Sequence, residues 1–599
     1  MGKQWFDNNS KNAIQDKIFT PLRGVKLKEG LFADTFYNNN SYLKKIDMDA
    51  MLYWFRKKAG KDAPGEPYRG HFEDNIKGQT AGMVLMGAGN ALRWTEDSEL
   101  SAIVDEIVDE IKACSEEDGY LMAVPKEEFG TLEYPHYVRI WLTYGLYGAA
   151  LGGNKDALEM LRNWQDWFNQ CDDLPIIKYL SLSFQGVVAS TFVFNTPIGK
   201  KKDIDVTIEY YEEDWRLGQF IMKEANCIQK RNQPGIEPHD HGTELESFEG
   251  YLDLYRATGK HYYLRAVLNA YDLYQRDWQH PGSGIVMCEF LDAYPNCNWL
   301  SPPKPYNELC CQAFWILLNQ RLHRMFPSEE RYVNEIEESL YNIAIASQDG
   351  DKGIRYFSWI HMYKQEGGLV HCCCGVGTRL FGMLPEFIYS VSDDALYLDI
   401  YAASSIDWES AGGKVSVDMQ TDMPYNGDVS VTVEPESEHE FSIFARIPKW
   451  VKGEVEVLVN GAVHCVAAPG SYAEIRRTWK KGDVINLELP FAFSVTRYVG
   501  AEEVDNADRY AYVYGPLLMA FKGQLDAYHH IRVPHNPHEQ ESWLIPDGTP
   551  LSFDVAKMDD VKFVPYYSLG SGEPFTCYPV FETSPDHFPH KERPTSRSW

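Results

Sequence analysis

The stretch SELSAIVDEIVDEIKAC, Ser98 to Cys114, set against KVSVDMQ, Lys414 to Gln420, decides the fold, because the two carry different periods. In the first, Leu100, Ile103, Val104, Ile107, Val108 and Ile111 recur at the spacing of one helical face, and Asp97 stands where a helix N-cap needs an acceptor oxygen. The helical pattern runs outward from there, from about residue 40 to 390. ALRWTEDSEL, AALGGNKDAL, LYRATGKHYYL and LHRMFPSEERYV each read as helix, short turn, helix, turning near Trp94, Leu151, Thr258 and Phe326. Stacked helical hairpins of this kind close naturally into an α/α toroid.

After Ala395 the period changes to two. LYLDIYA, KVSVDMQ, DVSVTVEPE, EFSIFARIP, VEVLVNGAV and DVINLELP alternate apolar and polar residues between turn signals, the pattern of a β-sandwich. Asn460-Gly461 predicts a tight type I′ hairpin, and Pro448 and Pro490 punctuate strand ends. A second β segment begins near Tyr510 with AYVYGPLLMAF, and the tail SPDHFPHKERPTSRSW is polar. The expectation is a multidomain α + β chain: a helical barrel over 1–395, a β-sandwich over 396–500, and a second β-rich domain with the tail over 501–599.

Length and composition agree, since 599 residues exceed what one core serves, and 44% hydrophobic with 24% charged residues is an ordinary globular balance. A formal charge of −30 repels phosphate backbones and anionic lipid surfaces, so neither nucleic acid nor a membrane is an expected partner. Aromatic residues reach 14%, and such rings offer platforms for the apolar faces of sugars. The N-terminal residues MGKQWFDNNSKNAIQDKIFT hold no apolar core of a signal sequence, and a cytoplasmic location is the expectation. A homo-oligomer is compatible with the sequence.

Five of the 12 cysteines fall in two tight groups, Cys310-Cys311 and Cys372 to Cys374. A disulfide framework would spread them, whereas grouping favours metal or thiol chemistry. Glu308 and Cys310, joined by Cys372 and Cys373, supply one carboxylate and three thiolates, a set suited to tetrahedral zinc. The same spacing also suits a closed structural zinc site tying two helices, or plain buried thiols, and spacing leaves all three open.

The string Tyr306-Asn307-Glu308-Leu309-Cys310 resembles the Y-x-E-T-C segment of glycoside hydrolase families 127 and 146, the β-L-arabinofuranosidases. Cys372-Cys373-Cys374-Gly375-Val376-Gly377 resembles their C-C-x-G-x-G segment, and likeness extends through NSYLKKIDMDAMLYWFRKKAG, LYRATGKHYYL, FARIPKW, IRRTWKKGDVINLELP and YVYGPLLMAF. The resemblance implies an (α/α)6 barrel catalytic domain followed by β-sandwich domains. It implies Zn²⁺ held by Glu308, Cys310, Cys372 and Cys373, with Cys372 also the nucleophile of a retaining glycosidase. It places the acid/base at Glu289, with Asp292 as runner-up, and a sugar-binding role at His241. The implied substrate is a plant cell-wall oligosaccharide or glycoside bearing a terminal L-arabinofuranose or related pentose.

Departures stand beside the likeness. Leu309 replaces the usual Thr, Cys311 and Cys374 are extra thiols, and GIRYFSWIHM and YVRIWLTYGLYGA differ where the sugar pocket is expected. Two other classes fit the same toroid: a carbohydrate-binding protein with structural zinc, and a lyase or epimerase. The first needs no acid/base, and the second leaves the cysteine groups unexplained.

Overall fold

A computed structural model describes residues 13–69, 74–132, 134–171, 185–212, 215–224, 242–282, 284–285, 307–499, 504 and 506–583. Six helices form its inner ring: α1 (Gln79–Ala91), α2 (Tyr134–Gly152), α3 (Gln185–Phe194), α4 (Gly242–Thr258), α5 (Leu309–Met325) and α6 (Cys372–Gly382). Each touches the next, and α6 returns to α1, so the ring is closed. Outer helices, among them Leu31–Leu43, Ser98–Cys114, Ala157–Phe168, Lys201–Glu212, His261–Asp277 and Arg331–Ser339, pack behind this ring as an (α/α)6 barrel. The turns read at Trp94, Leu151, Thr258 and Phe326 all fall between an inner helix and its outer partner. Asp97 caps Ser98–Cys114 by accepting from the Leu100 amide.

The hub of the ring is α1, in which all residues are buried. A helix with no solvent face must present small residues wherever neighbouring backbones cross. A Cβ at Gly82 would lie 2.6 Å from the Trp141 backbone of α2, and one at Gly89 would lie 2.2 Å from that of Gly148. On the other flank a Cβ at Gly87 would meet Thr378 of α6 at 2.2 Å, and one at Gly382 would meet the Gly87 carbonyl at 2.6 Å. In both pairs the contacts advance together along the two helices, so α1, α2 and α6 run parallel with their N-termini at one end of the barrel.

The β part starts with a sandwich of two sheets. The seven-stranded sheet has the order Val25–Leu27, Ser404–Ser410, Gly413–Thr421, Asp428–Pro435, Asp483–Glu488, Val455–Val459, Ala462–Ala467. The four-stranded sheet has the order Ser471–Trp479, His439–Ile447, Ala395–Leu398, Tyr389–Val391. Its core is the inward set read from the alternation, including Val415, Val417, Val431, Val433, Ile443, Ile475 and Ile485. Asn460 and Gly461 have φ of 52° and 77°, the two left-handed residues a type I′ turn requires.

A third sheet carries Asp508–Tyr514, Leu517–Lys522 and Met558–Pro565 at its centre, with Phe493–Arg497 paired to Asp508–Tyr514. The backbone therefore enters it a few residues before position 500. The strand His361–Met362, from the segment leading to α6, pairs with Phe575–Thr576 of this sheet. Buried Arg446 of the sandwich reaches Glu330 at 2.7 Å and Glu337 at 3.0 Å in the helical domain, tying the two together. No helix among the described residues is long and apolar enough to cross a membrane.

Because a Cβ at position 89 has no room, Gly89→Ala should destabilise the helical domain by about 1–3 kcal/mol, and thermal unfolding is the measurement. An unchanged midpoint would show that α1 and α2 do not approach as closely as described.

Candidate metal and catalytic centre

Cys372 and Cys373 are the first two residues of α6, and Cys310 is the second of α5. Two helix N-termini, each with outward amide N–H groups and a positive dipole end, therefore converge on the sulfurs. The close approach depends on small residues again. A Cβ at Gly377 would lie 2.7 Å from the Leu309 side chain, and one at Gly375 would lie 2.3 Å from the Trp141 ring. Leu309, at the position where a threonine was expected, fills the space beside Gly377 and seats Cys310 against Cys373.

Sequence separation between the two groups is bridged by residues 354–358. The Leu309 amide donates to the Tyr356 carbonyl at 3.2 Å, and Glu308 pairs with Phe357 as an isolated antiparallel bridge. Ile354 and Gly368 exchange both backbone hydrogen bonds, at 3.0 and 2.9 Å, which fastens the same stretch to the loop before α6. Arg355 holds it from behind, donating to the carbonyls of Gln365 at 2.6 Å and Gln348 at 2.8 Å and to Asp349 at 2.8 Å.

Glu308, Cys310, Cys372 and Cys373 are all buried, and one ligand atom from each lies within 4.8 Å of the others. Cys310 Sγ is 3.3 Å and Cys372 Sγ 4.0 Å from Cys373 Sγ. Donors about 2.3 Å from a common tetrahedral ion would be roughly 3.8 Å apart, so these sulfurs stand at metal-ligand spacing and not at the bond length of about 2.05 Å of a disulfide. The cysteines of the described residues are free thiols. Glu308 occupies the N-cap position of α5 without spending its carboxylate on the cap, and Asn307 before it has a left-handed φ of 49°. A residue at positive φ in this turn favours Asn or Gly.

Burial opposes ionisation at all three sulfurs and pushes the Cys310 and Cys373 thiols well above their ordinary value. At Cys372 the same burial is outweighed by hydrogen bonds from the Cys310 and Cys373 thiols, the neighbouring His371 and the Tyr356 hydroxyl, which pull its thiol well down. A cation among these buried groups is what would let the thiols ionise together. The four residues fit a divalent metal.

His371, whose role the sequence left open, is the N-cap of α6. Its Nδ1 accepts from the Cys374 amide at 3.2 Å, and its Nε2 lies 3.0 Å from the Ile354 carbonyl. Burial holds its imidazole below the usual value, consistent with a neutral ring donating through Nε2. Cys374 is buried beside the Gly368 carbonyl at 3.4 Å. The candidate acid/base Glu289, its runner-up Asp292, and His241 lie outside the described residues. Tyr356 was missed by the sequence reading: its hydroxyl lies 3.1 Å from Cys372 Sγ. The divergence of GIRYFSWIHM from the expected pattern concealed it, and no local signal in the sequence marks it.

The model for the β-L-arabinofuranosidase GH127 catalytic domain matches residues 24–385, and that for the GH127 middle domain matches residues 395–491. A non-reducing end β-L-arabinofuranosidase of Bifidobacterium longum subsp. longum is 23% identical over 539 residues, spanning 78% of this chain and 76% of the relative. A solved GH127 β-arabinofuranosidase superposes with a TM-score of 0.74 at 17% identity, covering 94% of this chain and 98% of its own. A GH127 β-L-arabinofuranosidase from Geobacillus stearothermophilus T6 does so with a TM-score of 0.67 at 18% identity, covering 93% and 100%.

Elemental analysis should find about one divalent metal ion per chain in the purified protein and far less in Cys373→Ala, whose thermal midpoint should fall because ligand binding and folding are linked. Metal-free protein of full stability would mean that the four residues form a plain thiol cluster.

Proposed function

The chain belongs to glycoside hydrolase family 127 and is a glycoside hydrolase, and from that premise we propose that it releases a terminal L-arabinofuranose or related pentose from a glycan with retention of configuration, using Cys372 as nucleophile. The observation that carries this reading is the gathering of Glu308, Cys310, Cys372 and Cys373 at the N-termini of α5 and α6. Plant cell-wall glycans are the proposed source of substrate, in keeping with the arabinofuranosidase names of the relatives.

Glu308, Cys310, Cys372 and Cys373 would hold zinc, which when bound keeps coordinating thiols deprotonated. The steps themselves fall to the chain. Cys372 Sγ attacks the anomeric carbon, the glycosidic C–O bond breaks, and the departing oxygen takes a proton from an acid, for which Glu289 is the proposal. Water then attacks the same carbon with loss of its proton to that carboxylate, and the C–S bond breaks with the electron pair returning to sulfur. Retaining glycosidases usually divide these roles between two carboxylates. Here a thiolate replaces one, and the α6 N-terminus and neighbouring donors favour its ionised form.

Cys372→Ser should abolish measurable turnover even in preparations that retain metal, since a serine hydroxyl is a far weaker nucleophile than a thiolate at neutral pH. Intact mass spectrometry of quenched wild-type reactions should find a glycosyl adduct mapping to Cys372. Undiminished turnover in Cys372→Ser would refute the assignment. Glu289→Gln should slow natural glycosides by about 10²- to 10⁴-fold and substrates with good leaving groups less. If Asp292→Asn gives that pattern instead, the acid/base is Asp292.

A further inference from the structure

Tyr356 sits in the stretch that fastens the two cysteine groups to each other. Its carbonyl accepts from the Leu309 amide at 3.2 Å, beside Cys310, while its hydroxyl is 3.1 Å from Cys372 Sγ. The ring is held between Phe357, with centroids 4.4 Å apart, and His371, at 5.0 Å. Arg355, the preceding residue, is anchored by its guanidinium donating to Gln365, Gln348 and Asp349. The half-buried phenol is therefore fixed by backbone and packing on both sides, with its oxygen within hydrogen-bond distance of the Cys372 sulfur.

We propose that Tyr356 is a catalytic residue of the second half-reaction, donating its O–H to the Cys372 sulfur as the thiolate is expelled from the glycosyl enzyme. This rests on the reading of Cys372 as nucleophile. In the glycosyl enzyme the sulfur is a neutral thioether and a poor acceptor. As water forms its bond to the anomeric carbon and gives up its proton to the acid/base carboxylate, the C–S bond breaks and both its electrons return to sulfur. The O–H···S bond strengthens along that coordinate, because a donor interacts more strongly with a developing anion than with a neutral acceptor. The proton stays on the phenol oxygen throughout. In the first half-reaction the same bond works the other way, since it stabilises the free thiolate and slightly restrains attack. A fixed donor at this sulfur therefore divides its effect unequally between the two steps.

The test compares wild type with Tyr356→Phe, which keeps the ring against Phe357 and His371, using metal-loaded full-length protein and 4-nitrophenyl β-L-arabinofuranoside. Loss of a hydrogen bond to a charged group should lower kcat by about 10- to 100-fold. KM should fall with it, leaving kcat/KM within about twofold, because kcat/KM reports only the steps through the first bond cleavage. Quenched Tyr356→Phe reactions should accumulate the Cys372 adduct, and methanol, an alternative acceptor for that adduct, should raise the variant's turnover. Metal content and thermal midpoint should match wild type. A fall in kcat/KM equal to that in kcat, with no adduct, would overturn the proposal, and so would unchanged kcat. An adduct mapping to another residue, or turnover retained by Cys372→Ser, would instead refute the nucleophile on which it rests. Should Tyr356→Phe not fold, 3-fluorotyrosine at the same position, a stronger donor of the same shape, should raise kcat without changing kcat/KM, and a lowered kcat there would overturn the proposal.

Discussion

Three sulfurs and a carboxylate packed within 4.8 Å in a buried pocket cannot all carry charge unless a cation lies among them. Burial pushes the Cys310 and Cys373 thiols up, while hydrogen bonding and the neighbouring His371 pull Cys372 down. The four residues suit a divalent ion better than a hydrophobic thiol cluster, since buried cysteines that merely pack have no need of a carboxylate beside them. The structure around the cluster holds these four side chains together where repulsion would otherwise part them.

The holding is done by main chain and by space. Glycines at 82, 87 and 89 let three inner helices come close enough that α6 has little freedom to slide, and glycines at 375 and 377 admit Trp141 and Leu309. A larger residue at 87, 375 or 377 would press directly between α6 and its neighbours, and one at 82 or 89 would part α1 from α2. The stretch 354–358 completes the clamp by hydrogen-bonding at once to the Glu308–Leu309 segment and to the loop before α6. It is itself fixed through Arg355, which reaches Ser571 at 2.6 Å as well as its nearer carbonyls, so the third sheet contributes to the rigidity of the site. The pairing of His361–Met362 with Phe575–Thr576 has the same effect.

What was legible in the sequence follows the range of the interactions concerned. Periodicity reports local burial, so the helical and β parts, the Asp97 cap and the Asn460-Gly461 turn could be read directly, each being settled within a few residues. The gathering of Glu308, Cys310, Cys372 and Cys373 was legible because rare residue types stood in two short clusters. Val25–Leu27, far from the rest of the β part in sequence, gave no sign that it would edge the seven-stranded sheet, because three residues carry no period and their partner lies beyond residue 400. Tyr356 was hidden for a related reason. One tyrosine among 37 has no local mark, and its meaning comes only from a hydroxyl placed against a sulfur 16 residues away in sequence.

On the proposed mechanism Cys372 is both nucleophile and metal ligand, and such a sulfur faces opposed demands. Coordination and hydrogen bonding keep the sulfur ionised and make it a good leaving group, yet each donor of positive charge also dampens its attack on carbon. A carboxylate nucleophile meets this conflict less sharply, because an oxygen ester at the anomeric carbon is readily displaced, whereas a thioether is more persistent. The balance therefore has to favour expulsion, and the surroundings of Cys372 are weighted that way: a helix N-terminus, two neighbouring thiols and a tyrosine hydroxyl all stabilise the anion. On that mechanism attack can tolerate the weighting because a sugar bound next to the sulfur would react by proximity, which offsets lost nucleophilicity. The same reasoning explains why the site is enclosed, since donors of this kind act strongly only where water does not compete with them.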